Sequence, residues 1–118
     1  MSSNPRLNES YKKPMGDAES LITRGVREIL TLCKIANWKH WAGPMSMKGV
    51  ADIIGTMQGG RALYFEVKAE GKLLRPEQET FLQIHREQGA LCSVVHSPGE
   101  ALSILKGINY DPAMRLWL

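Results

Sequence analysis

The sequence predicts an α/β fold, a mixed central sheet flanked by helices in the order α-β-β-β-α-β-α, and three observations lead to it. Apolar residues recur at helical spacing near the start. Three short β-rich runs follow, separated by Gly and Pro turns. A proline-opened helical stretch, one continuous apolar strand and a serine-capped helix then complete the chain.

Each element has its own local reason. Leu21, Ile22, Val26, Ile29, Leu30 and Cys33 share a helical stripe, which predicts a first helix of about 18 residues with Asp17 as its N-cap. Ile35 to Trp41 reads as a strand, with Trp38 and Trp41 on opposite faces. Gly49-Val50-Ala51-Asp52-Ile53-Ile54 reads as a second strand, closed by Gly55. Gln58-Gly59-Gly60 marks a hairpin turn that leads into a third strand, Ala62 to Ala69. Pro76 suits the first turn of a helix and Gly89 the position after its end, so Pro76 to Gln88 is the second helix. Ala90 to Val95, apolar but for Ser93, reads as a continuous strand buried on both faces and parallel to its neighbour. Ser97, Pro98 and Glu100 form a capping box that opens a short third helix carrying Ala101, Leu102 and Leu105.

Composition bounds the rest. The chain has 118 residues, 43% hydrophobic and 23% charged, which suits one self-folding domain and excludes the disordered regime. Residues 1–16 carry no periodicity and are expected to be a flexible arm, leaving 17–118 as the domain. No apolar run reaches the roughly 20 residues that a membrane span needs. No secretory h-region opens the chain, so a soluble cytoplasmic protein is expected. Cys33 and Cys92 have no metal or disulfide spacing and read as small buried hydrophobes. The net charge of +3 is too small to name a partner, but residues 1 to 48 hold eight Lys/Arg against four Asp/Glu, which makes that half the basic one.

Charged residues inside strands mark the chemistry. Alternation places Tyr64, Glu66 and Lys68 on one face of their strand and Leu63, Phe65 and Val67 on the other. Antiparallel pairing of the preceding strand brings Asp52 beside Glu66. Two carboxylates and an amine then converge, and a divalent cation such as Mg²⁺ is the natural compensator for the acid pair. Glu19 lies about 40 to 60° from the centre of the first helix's apolar stripe, close enough to face the sheet, whereas Glu28 faces water. Gln78 precedes Phe81 and Leu82 by three and four residues and therefore points inward. Bland readings stand beside these: a turn role for Asp52, an exposed cross-strand ion pair for Glu66 and Lys68, and capping or solvated roles for Glu19 and Gln78.

The segment Gly49-Val50-Ala51-Asp52-Ile53-Ile54-Gly55, followed by Gly60-Arg61-Ala62-Leu63-Tyr64-Phe65-Glu66-Val67-Lys68, Gly71-Lys72-Leu73 and Pro76-Glu77-Gln78 with Phe81-Leu82, resembles the virus-type replication-repair nuclease (VRR-NUC) domain. That domain belongs to the PD-(D/E)XK superfamily, and the resemblance is to its small stand-alone phage and bacterial members. Ala51 stands where the family usually has proline before the aspartate. The resemblance implies a restriction-endonuclease-like core and a Mg²⁺- or Mn²⁺-dependent DNA nuclease selective for branched, flap or junction structures. By the same resemblance, Asp52, Glu66 and the Val67 carbonyl are metal ligands, and Lys68 acts on the attacking water and the phosphate. Gln78 and Glu19 complete the site or hold a second metal. Lys39, Lys48, Lys72, Arg75 and Arg24, with Arg27, are candidate phosphate contacts, and a homodimer is expected. The alternative is a non-catalytic nucleic-acid-binding or assembly module that keeps the fold; intact Asp52, Glu66 and Lys68 argue against it. His40, His85 and His96 lack metal spacing, and His85 is expected to pack on the second helix's core side. For Trp38 and Trp41, one core position and one subunit contact are expected, with stacking on unpaired bases as the other use.

Overall fold

Helix α1 (Asp17–Leu32) is followed by strands β1 (Ala36–Lys39), β2 (Ile53–Thr56) and β3 (Ala62–Val67), helix α2 (Pro76–Glu87), strand β4 (Leu91–Val95) and helix α3 (Pro98–Gly107). This computed structural model describes residues 17–110. The element order is the expected one, and the sheet runs β1-β2-β3-β4, antiparallel across its first two pairings and parallel between β3 and β4. The expected arm 1–16 and the C-terminal Trp117 lie outside the described residues.

Alternation in β3 divides the core. Leu63, Phe65 and Val67 are buried against Val26 and Leu30 of α1 and Ala101 and Leu105 of α3. On the other face Tyr64 packs with Ala51, Phe81, Leu82 and Cys92 under α2. Both cysteines are free and buried. His85 stacks obliquely on Tyr64 and Phe81, at 4.7 and 4.2 Å between ring centroids, so it is the packed histidine the pattern implied.

Local chemistry sets the boundaries. Lys34 adopts φ 63° and the Ile35 N–H reaches back to the Leu30 carbonyl at 2.9 Å, which terminates α1. The Tyr110 hydroxyl donates to the Cys33 carbonyl at 2.7 Å and ties the end of α3 to the end of α1. Gly59 and Gly60 sit at φ 87° and 89° in the β2–β3 turn, a conformation closed to most side chains. Ser97 caps α3 by accepting the Glu100 N–H at 3.1 Å. The return bond of the expected capping box goes instead to His96, whose N–H lies 2.9 Å from Glu100 Oε1.

Several expectations are corrected. The second strand begins at Ile53, not Gly49, and Gly55 lies inside it opposite Asn37 and Leu63. Gly49 takes φ +87° and backs onto α2 so closely that a Cβ there would lie 2.4 Å from the Glu77 carbonyl oxygen, so the chain cannot be extended at that point. Leu21 is 64% exposed, on the rim of the α1 stripe. Strand β1 ends at Lys39, which leaves Trp41 in the following loop, and neither Trp38 nor Trp41 is in the core. Strand β4 is an edge strand among the described residues, with Ser93 and Val94 only half-buried.

Candidate metal and nucleic-acid site

Where β2 begins, the sheet opens. Ile53 pairs with Phe65, so Asp52 stands at the next register step, opposite Glu66, and its backbone already bends away. The Asp52 carboxylate takes over the place of a ladder acceptor: Oδ2 receives the Val67 N–H at 2.8 Å. The carbonyl of Val67 points to the same strand edge as its N–H. On the backbone side, the Asp52 carbonyl accepts the His40 N–H at 2.8 Å, which locks the strand start to the end of β1.

Glu66 is 2% exposed. Its Oε2 accepts the Gln78 side-chain amide at 2.9 Å, while Gln78 Oε1 accepts the Arg75 backbone N–H at 2.8 Å. The first turn of α2 therefore fixes Gln78, and Gln78 fixes the acid. Oε1 of Glu66 is buried without a hydrogen-bond donor. Burial, and then the neighbouring Asp52 carboxylate, push the Glu66 carboxyl up to about 9, with Lys68 and Arg75 pulling the other way. At neutral pH such a carboxyl keeps its proton, and the pair can ionise fully only with a cation beside its oxygens.

These residues line one cleft of about 670 Å³. Lys39, Lys48, Lys68, Lys72 and Arg75 are all on its walls, together with Glu19, Asp52, Glu66, Val67 and Gln78. Glu19 reaches it from the opposite face of the sheet: its Oε2 accepts the Ala69 N–H at 2.9 Å and lies 4.0 Å from Lys72 Nζ. It does not join the Asp52–Glu66 pair, and no cluster of three or more acidic, His or Cys ligands exists among the described residues. Arg75 Nε sits 3.4 Å from Glu77 Oε2. Arg24 and Arg27 lie elsewhere, in a separate groove lined by α1 and by Lys39 of β1, which meets the cleft at Lys39. His40 also lines the cleft, with a buried and unpartnered Nε2. No spacing rule in the sequence marks it, since only the fold of the 40–52 loop brings it there.

The donor set suits a hard divalent cation. It offers two carboxylates, one buried oxygen lacking a partner and a carbonyl on the same edge, and such ions take oxygen ligands with the remainder from water and substrate.

A meander of three strands joined to a parallel fourth, with helices packed on the sheet, is an α/β fold consistent with the PD-(D/E)XK-like type. More narrowly, the chain has the fold of a VRR_NUC domain. A solved structure described as "VRR_NUC domain" matches it with TM-score 0.65 and 21% identity over 77% of this chain and 97% of that one. No family model and no curated protein matches the sequence. No helix among the described residues is long and apolar enough to cross a membrane.

Proposed function

We propose that the chain is a metal-dependent nuclease that hydrolyses phosphodiester bonds in DNA, selective for branched, flapped or otherwise discontinuous structures. The observation that carries the reading is the Asp52–Glu66 carboxyl pair, oriented by the Val67 N–H and the Gln78 amide and holding one buried oxygen without a donor. The likeness to a structure described as a VRR_NUC domain supports it, and this chain carries Asp52 just before β2, Glu66 near the end of β3 and Lys68 just beyond it.

Asp52, Glu66 and the Val67 carbonyl are the residues that would hold Mg²⁺ or Mn²⁺. When bound, such an ion supplies Lewis-acid polarisation of the phosphate and a more acidic water. The protein's own part is positional and electrostatic. Gln78 keeps Glu66 turned toward Asp52. Lys68, two residues along the same face as Glu66, presents its ammonium to the phosphate, where it orients the attacking water and stabilises the charge that develops in displacement. Lys48, Lys72 and Arg75 hold the flanking phosphates and set the strand's path across the cleft. Glu19, bonded to Ala69 and near Lys72, orients that exit loop.

A homodimer fits the same reading, since a cleft this short grips few phosphates and a two-fold pair doubles the grip. The test is incubation with labelled duplex, single-stranded, flap and four-way-junction DNA in Mg²⁺, Mn²⁺ or EDTA. Cleavage of the discontinuous substrates, abolished by EDTA, is expected. Intact DNA under every condition refutes enzymatic function and leaves a binding module.

A further inference from the structure

The loop between β1 and β2 does not behave like a surface loop in its composition. Trp41 is 73% exposed, Met45 96% and Met47 74%, three large apolar side chains within seven positions. The loop is nonetheless built: the Ser46 hydroxyl accepts the Gly43 N–H at 2.7 Å and the Ser46 N–H returns to the Gly43 carbonyl at 3.0 Å, closing a turn around Pro44 and Met45. Trp41 and Met47 stand on the wall of the same cleft as Asp52 and Glu66. Lys39 Nζ lies 4.2 Å from the centre of the Trp41 ring, a cation on an aromatic face.

We propose that Trp41 is a stacking platform for an unpaired nucleobase, with Met45 and Met47 flanking the base and Lys39 and Lys48 holding its phosphates, so that the cleft takes a single-stranded segment beside the scissile bond. This rests on the nuclease reading and names the form of DNA that the site admits. The chemistry follows from the rim. In a duplex both faces of every internal base are covered by its neighbours, so an exposed indole gains nothing from intact double helix, whereas an unpaired base offers its π-face to the ring. Thioether side chains add soft, adaptable contact with an aromatic base. Charge complementarity selects the occupant: the apolar side chains are interleaved with lysines, the residue type depleted from protein–protein contacts, and a protein seated there would also cap the carboxylates of the cleft.

The test is a binding experiment on the full chain in EDTA, so that it does not depend on cleavage. Tryptophan fluorescence and anisotropy are read against short oligothymidylate, an abasic oligomer of equal length and a matched duplex. Stacking predicts quenching by oligothymidylate and an affinity about tenfold above that for the abasic strand. Trp41→Ala should abolish that difference while leaving abasic binding unchanged, Trp41→Phe should retain part of it, and Trp38→Phe should retain all of it. Equal binding of oligothymidylate and abasic strand by the unaltered protein overturns the proposal, as does a difference that survives Trp41→Ala. An unaltered protein that shows no base discrimination, but becomes monomeric on Trp41→Ala by sedimentation, identifies the loop as a self-association surface and equally overturns it. A chain that discriminates bases yet cuts no DNA in Mg²⁺ refutes the nuclease reading alone, and one that cuts without discriminating refutes the stacking alone.

Discussion

Replacing Glu66 by glutamine should stabilise the metal-free protein at neutral pH, by an amount that grows with pH. The glutamine carbonyl can accept the Gln78 amide as Glu66 Oε2 does, and its NH₂ can donate to Asp52, so the buried oxygen without a donor disappears. In the native protein the Glu66 carboxyl is raised from 4.5 to about 9, chiefly by burial and then by Asp52. A raised acid pKa means that the folded state binds a proton the unfolded chain releases, so stability is highest below pH 4.5 and falls as pH climbs toward 9. Neutral pH stands roughly 2.5 units above the unfolded value, and each unit is worth ~1.4 kcal/mol, so the native carboxyl costs about 3 kcal/mol at pH 7. Glu66→Gln removes that pH dependence. Urea unfolding in EDTA should therefore show wild type and variant nearly equal near pH 4.5 and separated by up to about 3 kcal/mol in the variant's favour at pH 7. Added Mg²⁺ should stabilise wild type and leave the variant unmoved. A variant that is less stable at every pH, or a difference that does not change with pH, refutes the account of an uncompensated buried pair.

Further outcomes follow from the same geometry. Asp52→Asn should lower turnover by orders of magnitude with DNA affinity in EDTA retained, read from cleavage and anisotropy on one flap substrate. Lys68→Ala should lose cleavage while keeping metal affinity, and Lys68→Arg should not restore it, because a planar guanidinium replaces neither the point charge nor the exchangeable proton; near-normal activity of the arginine variant would show that charge alone matters. Gly49→Ala places a Cβ 2.4 Å from the Glu77 carbonyl oxygen at φ +87°, so it should lower stability by about 1–3 kcal/mol and reduce cleavage with it, measured by thermal melting and activity together. DNA affinity should fall linearly in log–log plots against salt, with charge reversal at Lys72 and Arg75 flattening the slope and Asp52→Asn not doing so, and light scattering should give a dimer.

Legibility in the sequence tracks how local each cause is. The starts of α2 and α3, the β2–β3 turn and the alternation of β3 are decided by residues a few positions apart: Pro76, Ser97 with Glu100, Gly59-Gly60, and Leu63-Phe65-Val67 against Tyr64-Glu66-Lys68. Asp52 and Glu66 could be brought together from strand pairing alone. Asp52's release from the strand could not, because it depends on Gly49 packing against α2, more than twenty residues on in the chain. The core position expected for one of Trp38 and Trp41 fails for a similar reason: tryptophan's size favours the core, but α2 covers β3 and β4 and leaves both rings exposed. Arg24 carried charge without an address, and the direction of α1 takes it away from the cleft.

The place where β2 and β3 separate explains why the site forms there and nowhere else along the sheet. Had the ladder continued, the Val67 N–H would meet a backbone carbonyl from the residue before Asp52, and Asp52 would be one more paired strand residue. Instead Ala51 drops into the α2-side core, Gly49 turns against Glu77, and the vacated acceptor position is filled by the Asp52 side chain. A carboxylate anchored by one oxygen is thereby held at the mouth of a widening gap, directly across from an acid that a helix start has already oriented. On the other edge of β3, the parallel ladder runs on one step further, with the Lys68 N–H bonding the Val95 carbonyl at 3.1 Å, so Lys68 keeps strand geometry and stays on the Glu66 face. A strand that loses its antiparallel neighbour before its parallel one sets Glu66 and Lys68 beside Asp52 at one cleft, and the same separation frees the 40–52 loop to carry Trp41 to the rim.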